Sequence, residues 1–401
     1  MKWSSAVSEA VSLEDAISEC TASIESEFVA PKADLVIAFV SPHYAAEFEE
    51  LPAIVKRNIG GGLLLGCSGG GVIGAGLEVE HRPGFAMTVA HLPEVEITPF
   101  RVENDRMPDE DAPPNSWENL CGTKTETNPQ FILLTDPFSI STENLLNGLD
   151  YAFPEGVKIG GLASGTHHPG SNALYLADDT FSDGLVGMSL HGNITLDTIV
   201  AQGCRPIGQP MQVTSCSGNL LLGLDGQNTI DALRSVLAGL NQRDQSLSSH
   251  SLFLGIVMDT LKESPQHGDY LIRNILGVDQ FRNGLAIGGI LREGQVVQFH
   301  LRDAETSKQD LQGLLTKYGE ENPLYEDTGA LLFQCLGRGS YLYGRPNHDT
   351  EMFREKINSM PLTGFFCNGE IGPVGKTTFM HGYTSSFGIF RSNHCGNVGQ
   401  L

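Results

Sequence analysis

One pattern occurs twice in the first half of the chain at a fixed separation, and it limits the folds open to it more than any other feature. Leu35–Val40 is an uninterrupted apolar run closed by Ser41-Pro42. A helical stretch from about Ala45 to Arg57 follows, with Pro52 as a kink or as the first residue of its second part. Leu63 to Leu65 then runs into Gly66-Cys67-Ser68-Gly69-Gly70-Gly71. The second copy has Phe131 to Thr135, Asp136-Pro137, a helix with Leu145, Leu146, Leu149 and Phe153 on one face, and Val157 to Gly161 leading into Leu162-Ala163-Ser164-Gly165. Pro42 and Pro137 are 95 residues apart, as are Gly66 and Gly161. Strand-helix-strand units of this length imply right-handed crossovers and parallel pairing, with both glycine exits at one sheet edge.

The remaining chain adds strands and helices around these units. Ser12 with Asp15 caps a helix whose apolar face is Leu13, Ile17, Cys20, Ile24 and Phe28. Gly84 to Leu92 and Glu96 to Val102 read as strands, and residues 104–129 as an acidic, proline-rich excursion pinned by Trp117. A strand meander follows the second copy as far as Leu224-Asp225-Gly226, where a domain boundary is placed. Beyond it, helices are expected at about Thr229 to Leu240, near Gly268 to Leu276, and around Leu311 to Tyr318. They alternate with strands at Leu252 to Met258, Leu285 to Ile290, Val296 to Leu301 and Ala330 to Leu336. The expected fold class is α/β, in two related halves of β-α-β units with mixed, mainly parallel sheets and added antiparallel strands. The halves are 1–225 and 226–391, and 392–401 is a polar tail.

Charge removes several classes of function. Twenty-five basic residues face 48 acidic ones, a net charge of −23. Such a field repels nucleic acid and anionic lipid surfaces, so neither is an expected partner. The eight cysteines form no CxxC pair, and no cysteine or histidine spacing resembles a zinc site. With no signal peptide and no long apolar span, a cytoplasmic, reducing location is expected. No cofactor is called for.

Chemistry-bearing residues gather at the glycine-ended strands. Cys67, Ser68 and Gly69 occupy a strand-to-turn junction, the setting of a nucleophile elbow, but the GxSxG form is absent. Backbone N–H groups of that turn can meet a ligand, Cys67 can act as a nucleophile, or the segment is a structural turn. Arg338 stands between Gly337 and Gly339 and can offer its fork to a carboxylate. Asn368 and Glu370 lie in the exit Phe365-Phe366-Cys367-Asn368-Gly369-Glu370, where Glu370 can meet an ammonium group. Together Arg338 and Glu370 suit a zwitterion; alternatively they bridge to one another and tie two loops. His381 and Tyr383 close the set, and His381 and the His167-His168 pair lack the carboxylate spacing of a metal site.

In their order along the chain these landmarks resemble the FIST family. The carrying motifs are GCSGGGVIG at Gly66 to Gly74, LDG at Leu224 to Gly226, CLGRG at Cys335 to Gly339 and GFFCNGEIGP at Gly364 to Pro373. His381-Gly382 departs from the asparagine-containing segment more usual there. The resemblance implies a sensory, signal-transduction module binding a small polar ligand such as an amino acid and acting through a protein partner. A scaffold without a ligand is the alternative, followed by a hydrolase or transferase using Cys67. The resemblance supplies no catalytic residue.

Overall fold

Apolar runs buried on both faces organise the fold. The computed structural model describes residues 1–393 except 29, 31, 110, 260, 263 and 323–326, so most of the expected tail lies outside the described residues. Two compact units form: Met1–Val200 with Gln312–Met380 and Thr384–Leu401, and Ala201–Leu311 with His381–Tyr383.

The first unit begins with β1 (Lys2–Ser8), α1 (Leu13–Glu27), β2 (Leu35–Val40), α2 (Leu51–Ile59), β3 (Leu63–Ser68), the hairpin β4 (Gly71–Gly74) and β5 (Leu77–Glu80), β6 (Phe85–His91) and β7 (Val95–Val102). It continues through α3 (Pro114–Cys121), β8 (Gln130–Thr135), α4 (Thr142–Ala152), β9 (Lys158–Leu162), the hairpin β10 (Leu174–Leu176) and β11 (Asp179–Phe181), β12 (Leu185–Gly192) and β13 (Thr195–Ala201). The second unit holds β14 (Cys204–Ser217), β15 (Leu220–Leu224), β16 (Gln227–Asn228), α5 (Thr229–Ala238), α6 (Gln242–Ser248), β17 (Leu252–Val257), β18 (Tyr270–Asp279), β19 (Gly284–Ile287) and β20 (Val296–Arg302). After α7 (Ala304–Glu321) the first unit resumes with β21 (Gly329–Cys335), α8 (Gly339–Tyr343), α9 (His348–Lys356), β22 (Leu362–Cys367), the hairpin β23 (Glu370–Val374) and β24 (Thr377–His381), and β25 (Ser385–Arg391).

The β-α-β unit occurs three times rather than twice. The sheets of the first unit run β1-β6-β2-β3-β10-β11, β7-β12-β8-β9-β23-β24 and β13-β25-β21-β22-β4-β5. Each has one parallel pair, β2 with β3, β8 with β9 or β21 with β22, and its other registered neighbours are antiparallel. The class is mixed α/β, with parallel pairing confined to the β-α-β connections. The hairpin after each second strand joins a different sheet, so the glycine exits do not share one sheet edge as the repeat suggested.

Register fixes the equivalences. Gly66, Gly160 and Gly364 stand opposite Ala38, Leu133 and Leu332, where a Cβ would lie 2.1, 1.8 and 1.8 Å from the facing carbonyl oxygen. No side chain fits at that step. The structural partner of Gly66 is therefore Gly160, one residue before the glycine that equal spacing selects.

Leu35, Ile37 and Phe39 of β2 enter a core shared by the three sheets, with Ile132, Leu134, Leu331, Phe333 and Phe365. Phe39 stacks on Phe365 at 4.8 Å. Val36, Ala38 and Val40 face the other way, onto Leu13, Ile17 and Ile24 of α1 and Ile54 and Val55 of α2. Both faces are dry, which is why the strand reads as continuously apolar. Pro52 lies in the first turn of α2, where its missing N–H costs nothing. The 104–129 excursion contains α3, and Trp117 is fully buried against Gly148 of α4, where a Cβ would come within 1.9 Å of the indole.

The second unit is one antiparallel sheet, β14-β20-β17-β18-β19-β15-β16, closed by pairing of β14 with β15 around Leu254, Leu285, Val297 and Phe299. The expected helix at Gly268 to Leu276 is strand β18 instead, paired with β17 from Tyr270 to Asn274. The β-branched and aromatic content of Tyr270 to Asp279 suits a strand, and pairing with β17 decides it. Among the described residues, no helix is long and apolar enough to cross a membrane.

Candidate functional site

The three glycine exits of the first unit converge. Ser164 N–H donates to Ser68 O at 3.1 Å, and Gly70 N–H donates to Ser164 Oγ at 2.9 Å. That hydroxyl in turn donates to Phe366 O. Asn368 N–H donates to Leu162 O at 3.1 Å, and Leu162 N–H to Gly369 O at 2.9 Å. One serine thus ties together strand ends from three sheets. Ser68 Oγ accepts from Ala173 N–H at 3.0 Å and donates to Asn172 Oδ1, whose Nδ2 donates to the buried Asp136 at 3.1 Å. Gly70, Gly165 and Thr166 are half-buried and Asn368 is exposed, so a built polar floor lies under an accessible rim.

Cys67 is beneath this floor and fully buried, and burial pushes its thiol well above the usual range. A buried, protonated thiol is a packing group. Cys67→Ser is accordingly expected to leave ligand affinity within about twofold, since no contact of its own is lost. Iodoacetamide at neutral pH should leave Cys67 unmodified in the native protein. Rapid stoichiometric labelling there would contradict this assignment.

A second polar cluster surrounds Arg338. Its Nε and Nη2 donate to the two Asp349 oxygens at 2.8 and 3.3 Å, and Nη2 also donates to Tyr343 OH at 2.7 Å. Ser385 Oγ donates to Asp349 at 2.7 Å, and His348 Nδ1 lies 2.8 Å from it. Arg338 and Asp349 are both fully buried. Burial opposes ionisation of Asp349, but Arg338, His348 and Ser385 outweigh it and hold the carboxyl well below the usual range. Glu370 is also fully buried, and it accepts from Thr384 N–H at 3.1 Å and Thr384 Oγ1 at 2.7 Å. The two residues nominated for a zwitterion therefore attach to adjoining positions, Thr384 and Ser385, each through its own protein contacts.

Helix starts complete this cluster. Asn347, at φ +60°, gives α9 no side-chain cap. Glu78 of β5 does so from another segment, its Oε1 accepting from Asp349 and Thr350 N–H at 3.1 Å each. Asn347 Oδ1 accepts from Glu78 N–H at 2.7 Å, making the arrangement reciprocal. Glu80, on the same face of β5, accepts from Ser340 N–H and Oγ at 2.9 and 2.8 Å. Burial first, and the Asp349 charge second, push the Glu78 carboxyl up to about 8.

His381 and Tyr383 belong to the second unit. The Tyr383 ring packs 4.4 Å from Phe253 and lies under the Arg302 guanidinium at 4.6 Å, and its hydroxyl bonds Asn274. His381 is buried. Among the described residues no group of three or more histidine, cysteine or acidic side chains is arranged to hold a metal.

Sequence reading missed Ser164, Asn172 and Asp136 as one network with Ser68. The available signal was the recurrence of a hydroxyl residue in the second glycine exit. Glu78 and Asp349 carried no such signal, because their contact spans 271 residues.

The FIST N domain model matches residues 34–227 and the FIST C domain model residues 229–373. An uncharacterized protein of Mycobacterium tuberculosis is 32% identical over 386 residues, covering 96% of this chain and 98% of the relative. An uncharacterized Mycobacterium bovis protein is 31% identical over 329 residues, 82% of each chain. The crystal structure of cyanuric acid hydrolase from A. caulinodans aligns with a TM-score of 0.36 and 9% identity, over 97% of this chain and 99% of that one.

Proposed function

The chain belongs to the FIST family of sensory and signal-transduction domains, and from that premise we propose that it is a sensor for a small polar ligand, an amino acid or similar zwitterion. The observation that carries this reading is the convergence of three glycine-ended exits on Ser164, with Ser68 and Gly69 beneath and Asn368 at the rim. The exposed Asn368 side-chain amide stands at that rim, where it can donate to a carboxylate without a metal. Beneath it, the buried Glu370 holds Thr384, and Arg338 holds the adjoining strand start through Asp349 and Ser385. His381 and Tyr383 lie in the second unit and take no part in this site. The bound state is read by a protein partner.

Differential scanning fluorimetry against the free amino acids tests this. A ligand at 100 times its Kd stabilises by about 2.7 kcal/mol, which raises Tm by several degrees. Asn368→Ala should weaken that ligand about tenfold, a loss of about 1.4 kcal/mol, without lowering the Tm of the free protein. No shift from any amino acid, together with recovery of a stable protein complex, would favour the scaffold reading instead.

A further inference from the structure

The second unit presents an apolar edge that its own sheet leaves uncovered. β18 registers against β17 only from Tyr270 to Asn274. From Ile275 to Asp279 it has β19 on one side and, among the described residues, no strand on the other. Leu276, at the register shift, is 63% exposed, Val278 is 58% exposed and Phe281 at the tip is 101% exposed. The tip is ordered: Asp279 Oδ1 accepts from Phe281 and Arg282 N–H at 3.0 Å each, and Asn283 turns the chain at φ +50°. A large aromatic side chain held in water on a fixed turn costs solubility unless something covers it.

Charge selects the occupant. Ala201–Leu311 holds nine basic and eleven acidic residues, so nearly all of the −23 resides in the rest of the chain. At the tip, Arg282 lies 4.0 Å from Asp279, one charge of each sign. A patch with both signs and no net charge offers little to an anionic membrane or to a strongly acidic or basic partner. It is self-complementary, as a two-fold contact requires, and it lies on the unit where two copies of an acidic chain repel least.

We propose that the open edge of β18 and the Phe281 tip form a homodimer contact, in which a second copy of the chain pairs along Ile275 to Asp279 and covers Leu276, Val278 and Phe281. Edge-to-edge pairing satisfies the free backbone groups of both copies, and the three apolar side chains supply the dry centre.

Sedimentation velocity on the full chain at about 1 and about 100 µM, a range that resolves micromolar dimers, is the test. The expected result is a dimer at the higher concentration that tightens with added salt, because screening relieves the repulsion between acidic chains. Phe281→Asp with Leu276→Lys should yield a monomer of unchanged Tm, weakening association by at least about tenfold. Tyr151→Lys, at a 60% exposed site in the first unit, should remain dimeric. A wild-type monomer at about 100 µM, a dimer that survives the double substitution, or one that Tyr151→Lys dissociates equally would overturn the proposal. Flotation of wild-type monomer with phosphatidylserine vesicles would overturn it in favour of a membrane. None of these outcomes depends on whether an amino acid binds.

Discussion

Asp349→Ala is expected to destabilise the protein by about 3–5 kcal/mol, because it leaves the Arg338 guanidinium charged with its main acceptor gone. Both side chains are fully buried, so water cannot replace the lost carboxylate. Ser385 Oγ and His348 lose the same partner. Against a total stability of about 5–15 kcal/mol, such a loss lowers Tm by roughly 5–8 °C or unfolds the first unit. The double variant Arg338→Met with Asp349→Leu removes both charges and should lose less than the single substitution. Urea unfolding of the three proteins checks this, and a single-variant loss under about 1 kcal/mol would show that Asp349 is not the anchor of the cluster.

The second large effect is a pH dependence set by Glu78. Its folded carboxyl is pushed up to about 8, by burial first and then by Asp349, while the Asp349 and Thr350 N–H groups pull it down. In the unfolded chain a glutamate titrates near ~4.3. Between those values the folded state binds more protons than the unfolded one. The contribution of Glu78 is therefore fully present below about pH 4.3 and is lost as pH rises through about 8. Glu78→Gln keeps an acceptor for the two N–H groups but cannot ionise. The variant should gain on the wild type as pH rises, by on the order of 2–4 kcal/mol between pH 5 and 8. Asp349 acts in the opposite sense: its lowered carboxyl adds stability above ~3.9 that is lost as pH falls further. Comparing the two proteins at each pH cancels that limb. Urea midpoints at pH 5, 6.5 and 8 decide the matter, and parallel slopes for both proteins would contradict the assignment.

How much of this was legible in advance can be argued from particular residues. The cap of α1 at Ser12 forms as read, its side chain accepting from Asp15 N–H. The apolar runs at Leu35 and Phe131 became strands because period and composition report which faces are dry. The third β-α-β copy was hidden because Cys335-Leu336 stands where the others have Ser41-Pro42 and Asp136-Pro137. Its crossover also holds two helices, α8 and α9, rather than a single regular one.

The sequence by itself determined most local elements, the glycine-rich exit at Gly66, and the grouping of polar residues at strand exits. Each of these depends on a residue and its near neighbours. Only the tertiary structure decided that the hairpins pass into other sheets, that Ser164 joins three exits, and that Glu78 caps a helix 271 residues away. A buried face specifies that it must be covered, and many apolar faces would serve. Which one covers it is chosen by the closure of the whole chain, when backbone pairing and core packing are satisfied together.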